Sequence, residues 1–341
     1  AAARAARRLL STGPGGRAAP FDRALKLAQR AHALKAPDAR DYEYLREEIA
    51  ERLTERLEDV SLEYSFRDAA DVGCGTGHVR RALGERGGVE RLIEIDACQE
   101  ALDESARRQA DGEDHPPPFA VERRRMDGEV LPLEPNSMDL IVSSLSLHWE
   151  NDLPLLFAQA RAALRPDGVF LAAVLGGDTL HELRNAFLAA DLERRGGAGS
   201  HCSPLVRVAD VGSLLQGAGL ALPTVDTERV VAGYEDPFVL LHHLQRAGDS
   251  HAPADREDAA RAAARRDALV AMAATYQALY ANEEGQVPAT FEVIYMIGWA
   301  PHESQPRPLR RGTAQRSLKT SLGPGPGAGA GEGDGRGCGA S

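Results

Sequence analysis

The segment Asp71-Val72-Gly73-Cys74-Gly75-Thr76-Gly77 restricts the possible folds more than any other part of this chain. Glycines at alternate positions allow a sharp backbone turn and let a ligand pass where any Cβ would collide. The apolar residues 69–72 ahead of it read as a short strand, and 77–86 behind it read as a helix. A strand that turns through glycines into a helix opens a βαβ unit. An ordinary tight turn also uses glycine, so the reading depends on the residues C-terminal to Arg86.

Those residues repeat the unit. Apolar runs at 91–95, 119–123, 138–143 and 168–174 alternate with helical stretches at 99–108 and 153–164, which predicts a parallel sheet with right-handed crossovers. Charge and the consecutive Pro116, Pro117 and Pro118 mark a surface loop before the run at 119–123. Beyond 174 the pattern predicts helices at 179–194, 208–218, 237–247 and 254–280, strands at 224–231 and 290–299, and a glycine-rich break at 196–199. Ahead of the glycine turn, Leu25, Leu27, Tyr42, Leu45, Ile49, Leu53 and Leu57 recur at helical spacing, giving covering helices over 21–60. The expected domain, 61–302, is Rossmann-like α/β: a mostly parallel seven-stranded sheet with an antiparallel last strand and a helical insertion before that strand.

Composition removes several function classes. A formal net charge of -11 repels phosphate backbones, and no basic stretch interleaved with aromatics reverses this locally, so nucleic acid is not the expected partner. Cys74, Cys98, Cys202 and Cys338 lie far apart and form no CxxC pair, which suggests neither a zinc site nor a disulfide framework. No apolar run approaches the roughly 20 residues that cross a bilayer, so membrane association is expected to be peripheral. Residues 1–20 carry Arg4, Arg7, Arg8 and Arg17 and no acid, the composition of an organelle transit segment, expected ahead of the alternative, a disordered tail coded by GC-rich DNA. Residues 303–341 are dominated by Pro, Arg and Gly and are expected to be disordered.

Two acids succeed the glycine turn in the order a nucleoside pocket needs. Asp96 ends the second strand, 19 positions beyond Gly77, where a carboxylate accepts hydrogen bonds from both ribose hydroxyls. Asp127 comes after the third strand, placed to meet an exocyclic adenine amine. Pyrophosphate-binding sites usually read GxGxxG, whereas this chain reads GxGxG, which favours S-adenosylmethionine over a dinucleotide.

DVGCGTG, Asp96, MDGEVLPLEPNSMDLIVSSLSLHWENDLP and LRPDGVF together resemble the class I S-adenosylmethionine-dependent methyltransferases over 64–174. SSLSLHWENDLP, LAAVLGGDTLHELRNAF and NEEGQVPATFEVIYMIGWAPHESQPRP resemble a narrower group over 21–312: mitochondrial complex I assembly factors that hydroxylate an arginine of a core subunit. That resemblance implies a matrix-side location at the inner membrane, a complex I core subunit and other assembly factors as partners, and S-adenosylmethionine as cofactor. By position it implies cofactor contacts at Asp71, Gly73, Gly75, Gly77, Asp96, Asp127 and Ser143. Two features depart from it: Glu94, a charge near the pocket, and the glycine-rich tail after Leu322.

The catalytic residues stay open at this level, with His148, Asp178 and His181 as candidates. His148-Trp149-Glu150 offers one HxE pair but no second His for a facial triad, so a structural or substrate contact is expected and no metal site. His242 and His243 share a helix, one facing the core and one solvent. Asp178, His181 and Glu182 come just after the fifth strand, where acids would suit a guanidinium, although Asp178 also reads as a helix cap. Two other functions fit the same fold. One is a carboxyl O-methyltransferase like the malonyl-carrier methyl ester synthases, which a basic substrate funnel would favour. The other is a non-catalytic assembly chaperone.

Overall fold

The computed structural model describes residues 19–60, 65–255, 257, 260 and 265–306. The transit segment and the Pro/Gly-rich tail therefore lie almost wholly outside the described residues. Residues up to His302 form one compact unit, and the second unit begins at Glu303.

Seven strands form one sheet in the order β3-β2-β1-β4-β5-β7-β6. They are β1 (Asp68–Val72), β2 (Arg91–Asp96), β3 (Ala120–Arg125), β4 (Met138–Ser144), β5 (Leu164–Leu175), β6 (Ala221–Tyr234) and β7 (Val287–Trp299). β1 to β5 pair in parallel, and β7 runs antiparallel between β5 and β6, as the sequence pattern predicts. The central strands are buried on both faces, which is why they read as continuous apolar runs. The edges are handled with charge: β3 carries Arg123, Arg124 and Arg125, while Asp226 and Glu228 of β6 pair with Arg56 and Arg52.

The helices are α1 (Arg23–Leu34), α2 (Tyr44–Val60), α3 (His78–Leu83), α4 (Gln99–Ala110), α5 (Leu153–Ala163), α6 (His181–Arg195), α7 (Val208–Gly217), α8 (Pro237–Arg246) and α9 (Arg266–Tyr280). One sheet face packs Ile49, Leu53 and Leu57 of α2 with Leu183 and Phe187 of α6, and the other packs Leu156 and Phe157 of α5 with Val211 and Leu215 of α7. The N-terminal helical region is broken by a 3₁₀ turn, Ala39–Tyr42, just after Pro37. α3 is shorter than its pattern because Gly84, at φ +51°, ends it. β6 and β7 are longer than theirs, since their ladder runs from Ala221↔Trp299 through Gly233↔Pro288 to Tyr234↔Val287. α9 starts at Arg266 rather than 254, and most of 256–264 lies outside the described residues.

Candidate functional site

The sheet order reverses direction between β1 and β4, and a cavity of about 90 Å³ opens beyond the carboxyl ends of those strands. Gly73, Gly75 and Thr76 line it from the glycine turn, Ser144, Leu145 and Ser146 from the end of β4, and Arg23, Lys26 and Arg30 from α1. Gly73 sits at φ +76°, and a Cβ there would lie 1.8 Å from Ser146 Oγ. This glycine therefore admits the β4 end to the turn. Gly77, at φ +87°, serves packing: its Cβ would come within 2.8 Å of Arg80 Nη2 and Glu94 Oε1. Glu94 does not line the cavity; its carboxylate is fully buried, accepts from Arg80 Nε at 3.0 Å and Ser105 Oγ at 2.9 Å, and pairs with Arg123. The charge that departs from the family pattern thus ties α3 and α4 to β2.

Asp96 is fully buried at the end of β2, and its acceptor positions are filled. Oδ1 accepts from Arg30 Nη1 at 3.0 Å and Cys98 N at 2.8 Å, while Oδ2 accepts from Arg30 Nη2 at 2.8 Å and Gly75 N at 2.9 Å. A carboxylate offers about four lone-pair sites, so no site remains for a hydroxyl. Burial opposes ionisation, but the Arg30 guanidinium and the two amides outweigh it and hold Asp96 below the usual carboxylate range.

α1 is pinned over the cavity by further cations. Arg23 donates to Glu129 at 2.8 Å, to Glu150, and to the Gly128 carbonyl at 2.6 Å. Lys26 is buried, lies 3.3 Å from the centre of the Trp149 ring, and donates to the carbonyls of Gly248 and Ser250. Burial brings its pKa down to about 7, against the opposing pull of Asp249. α1 turns its cations inward and leaves Leu25 40% exposed, while Leu27 lines the cavity, so of the two leucines only Leu27 marked the covered face. The 23, 26, 30 spacing of cations along one helix face was the available signal.

Two buried polar groups near the glycine turn have no hydrogen-bond partner: both carboxylate oxygens of Asp71, within β1 and outside the cavity lining, and the Ser144 hydroxyl. Burial, with Glu94 and Asp96 nearby, pushes Asp71 well above the usual carboxylate range. Ser143, the strand-end serine singled out by resemblance, instead donates to the Val72 carbonyl at 2.6 Å and is fully buried. Its neighbour Ser144 is the one that lines the cavity. Asp127 is exposed, bridges in backbone to Val130, and does not line the cavity.

A second cavity, of about 210 Å³, lies against the first, and Tyr42, Arg46, Leu145, Trp149 and Ala247 line both. Its wall is aromatic and apolar, with Tyr44, Tyr234, Phe187 and Phe291, and its charged side chains are Arg46, Arg184 and Asp249. Arg46 Nη2 donates to both Asp249 oxygens, at 2.8 and 2.9 Å. Arg184 donates to the carbonyls of Gly177 and Thr179. The wall is therefore not an acidic funnel.

His148 belongs to this second cavity. It is 5% exposed, its Nδ1 accepts from Leu175 N at 3.5 Å, and its Nε2 has no hydrogen-bond partner. Burial lowers its pKa to about 3, so the ring is neutral, with the proton on Nε2. Asp178 and His181 reach neither cavity: both are exposed, Asp178 pairs with Arg229, and His181 lies beside Glu182. Glu182 is buried and holds the Thr290 hydroxyl. His243 faces the second cavity among Tyr42, Tyr44 and Tyr234, and His242 is exposed. Among the described residues no group of three or more His, Cys, Asp and Glu is arranged to hold a metal ion, and no helix is long and apolar enough to cross a membrane.

Residues 70–172 match the family model described as a methyltransferase domain. The chain is 41% identical over 298 residues to the mitochondrial arginine-hydroxylase NDUFAF5 of Danio rerio, covering 87% of this chain and 88% of that protein. The Homo sapiens protein of the same name is 40% identical, covering 87% and 82%. A malonyl-[acyl-carrier protein] O-methyltransferase of Gallionella capsiferriformans is 33% identical over 283 residues, covering 82% and 90%.

Proposed function

We propose, from the fact that this chain belongs to the NDUFAF5 arginine-hydroxylase family on a methyltransferase fold, that it is a mitochondrial complex I assembly factor that binds S-adenosylmethionine and hydroxylates an arginine of a core subunit. The observation that carries the cofactor is the set of groups beyond β1, β2 and β4. The glycine turn gives close approach, Asp96 would accept the ribose hydroxyls once Arg30 leaves it, and Asp71 and Ser144 are buried polar groups without partners. A buried, partnerless carboxyl gains from a cationic neighbour, and the cofactor's ammonium is such a group. Arg30 has to leave Asp96 before ribose hydroxyls can take its place. S-adenosylmethionine held there would supply a sulfonium-activated methyl, the group methylation uses, whereas hydroxylation takes its oxygen from a separate oxidant. The chain's own part is to orient it, exclude water beneath α1, and present the substrate from the second cavity.

The partners in this reading are the core subunit bearing the arginine and other assembly factors. The location is the matrix face of the inner membrane, and among the described residues no helix is long and apolar enough to span it. A second reading, carboxyl O-methylation, is supported by the two arginines set against one aspartate on the second cavity's wall. Mass spectrometry of complex I core-subunit peptides from mitochondria with and without this protein separates the readings. Loss of one oxygen from an arginine peptide on deletion fits hydroxylation; loss of one methylene fits methylation; no change contradicts a protein substrate and leaves a chaperone role.

A further inference from the structure

We infer, resting on the arginine reading of the function, that Asp249 is the specificity-determining residue that receives the substrate's guanidinium, and that Arg46 occupies that position in this structure. Asp249 is the one carboxylate on the second cavity's wall among the described residues. Its position is fixed from both sides, because Lys26 Nζ donates to the Gly248 carbonyl at 3.2 Å and the Ser250 carbonyl at 2.7 Å. Its own amide bonds to the Leu244 carbonyl at 2.8 Å, closing the end of α8. The carboxylate is thus presented by a clamped backbone rather than by a free loop.

Its resident partner shows what the position accepts. A single nitrogen, Arg46 Nη2, reaches both oxygens, and about half of the carboxylate's roughly four acceptor sites remain for another donor. A second guanidinium would engage them through a planar pair of N–H groups, which an ammonium cannot reproduce. Tyr42 and Tyr44 line the same cavity, with ring centres 4.9 and 6.0 Å from that of His243, while the Trp149 ring is covered by Lys26. His148, neutral in this wall, adds no repulsion. Because Arg46, Tyr42 and Trp149 are shared with the first cavity, a guanidinium on Asp249 lies beside the wall that faces the cofactor. Arg46 and Arg184 leave the wall net cationic, so Asp249 is the one position among the described lining residues that holds a cation and repels a carboxylate.

The test uses the full chain saturated with S-adenosylhomocysteine and titrated calorimetrically with N-acetyl-L-arginine methylamide, its lysine counterpart and malonate. The arginine probe is expected to bind the wild type in preference to the other two. Asp249→Asn should weaken it by about tenfold or more, with Asp249→Glu recovering part of the loss, while S-adenosylhomocysteine affinity stays unchanged as the check on folding. Arg46→Met, which removes the resident guanidinium, should tighten the arginine probe. Equal binding by the wild type and Asp249→Asn, no binding by the wild type, or weaker binding by Arg46→Met overturns the assignment. Arginine binding that ignores Asp249 leaves the arginine reading standing, whereas preference for malonate overturns both.

Discussion

The two cavities share a wall and are built in opposite ways. The first has a floor of strand ends and the turn after β1, whose geometry is set by backbone, under a roof of side chains from α1 and the 3₁₀ turn. The second gathers side chains from the 3₁₀ turn, α2, the end of β4, α6, α8 and β7, and its geometry is set by packing. An acid in or just behind each wall is answered by an arginine from the N-terminal helices, Arg30 on Asp96 and Arg46 on Asp249. The degree of enclosure differs. Asp96 is fully buried with four donors, while the Asp249 side chain is 21% exposed and is held by one guanidinium nitrogen. A ligand must expel Arg30 to reach the first acid, but needs only to share the second with Arg46.

The largest expected effect strikes the first cavity. Asp96→Ala leaves the Arg30 charge and the amides of Gly75 and Cys98 without an acceptor, and S-adenosylhomocysteine affinity should fall by about 100-fold or more in calorimetry. Gly73→Ala should come next, lowering unfolding stability by roughly 2–4 kcal/mol in denaturant titration, because positive φ is combined with the collision at Ser146. If alanine is tolerated there, backbone does not set the geometry of the first cavity.

Arg30→Met should act in the opposite direction, tightening S-adenosylhomocysteine by about tenfold as the competitor for Asp96 is removed. Weakened binding would instead make Arg30 a cofactor ligand. The pH-dependent effect belongs to the second cavity. With a folded pKa of about 3 against the ordinary 6.5, His148 stays neutral in the fold while the unfolded chain takes up a proton. Stability contributed by the neutral ring is complete above pH 6.5 and is lost as pH falls from there toward 3, by up to about 1.4 kcal/mol per unit. His148→Gln should flatten that part of the acid limb in pH-dependent unfolding; an unchanged slope would place the ring in solvent.

The same contrast explains which features were legible in the sequence. DVGCGTG and Asp96 could be read because the turn, the strand end and the spacing are properties of one contiguous stretch. The repeated strand–helix units of the parallel part could be read from alternating patterns for the same reason, but the strand order, with β7 between β5 and β6, could not. Ser143 and Ser144 could not be told apart, since one residue of strand register decides which of the two faces the cavity. Lys26 and Arg30 were hidden because their burial runs against the usual polarity of a covering helix. Asp249 and His148 meet only after residues about a hundred positions apart have folded together, and no local pattern marks them. Asp178 and His181 had the right sequence position, after β5, but the chain turns at Gly176 and Gly177 and carries both to the surface.

A structure of the chain with S-adenosylhomocysteine tests the central claim most directly. The ligand is expected beneath α1, with its ribose hydroxyls on Asp96, Arg30 displaced from that carboxylate, and the sulfur end at the wall formed by Tyr42, Arg46 and Trp149. A ligand bound elsewhere, or bound with the Arg30–Asp96 pair intact, would contradict it.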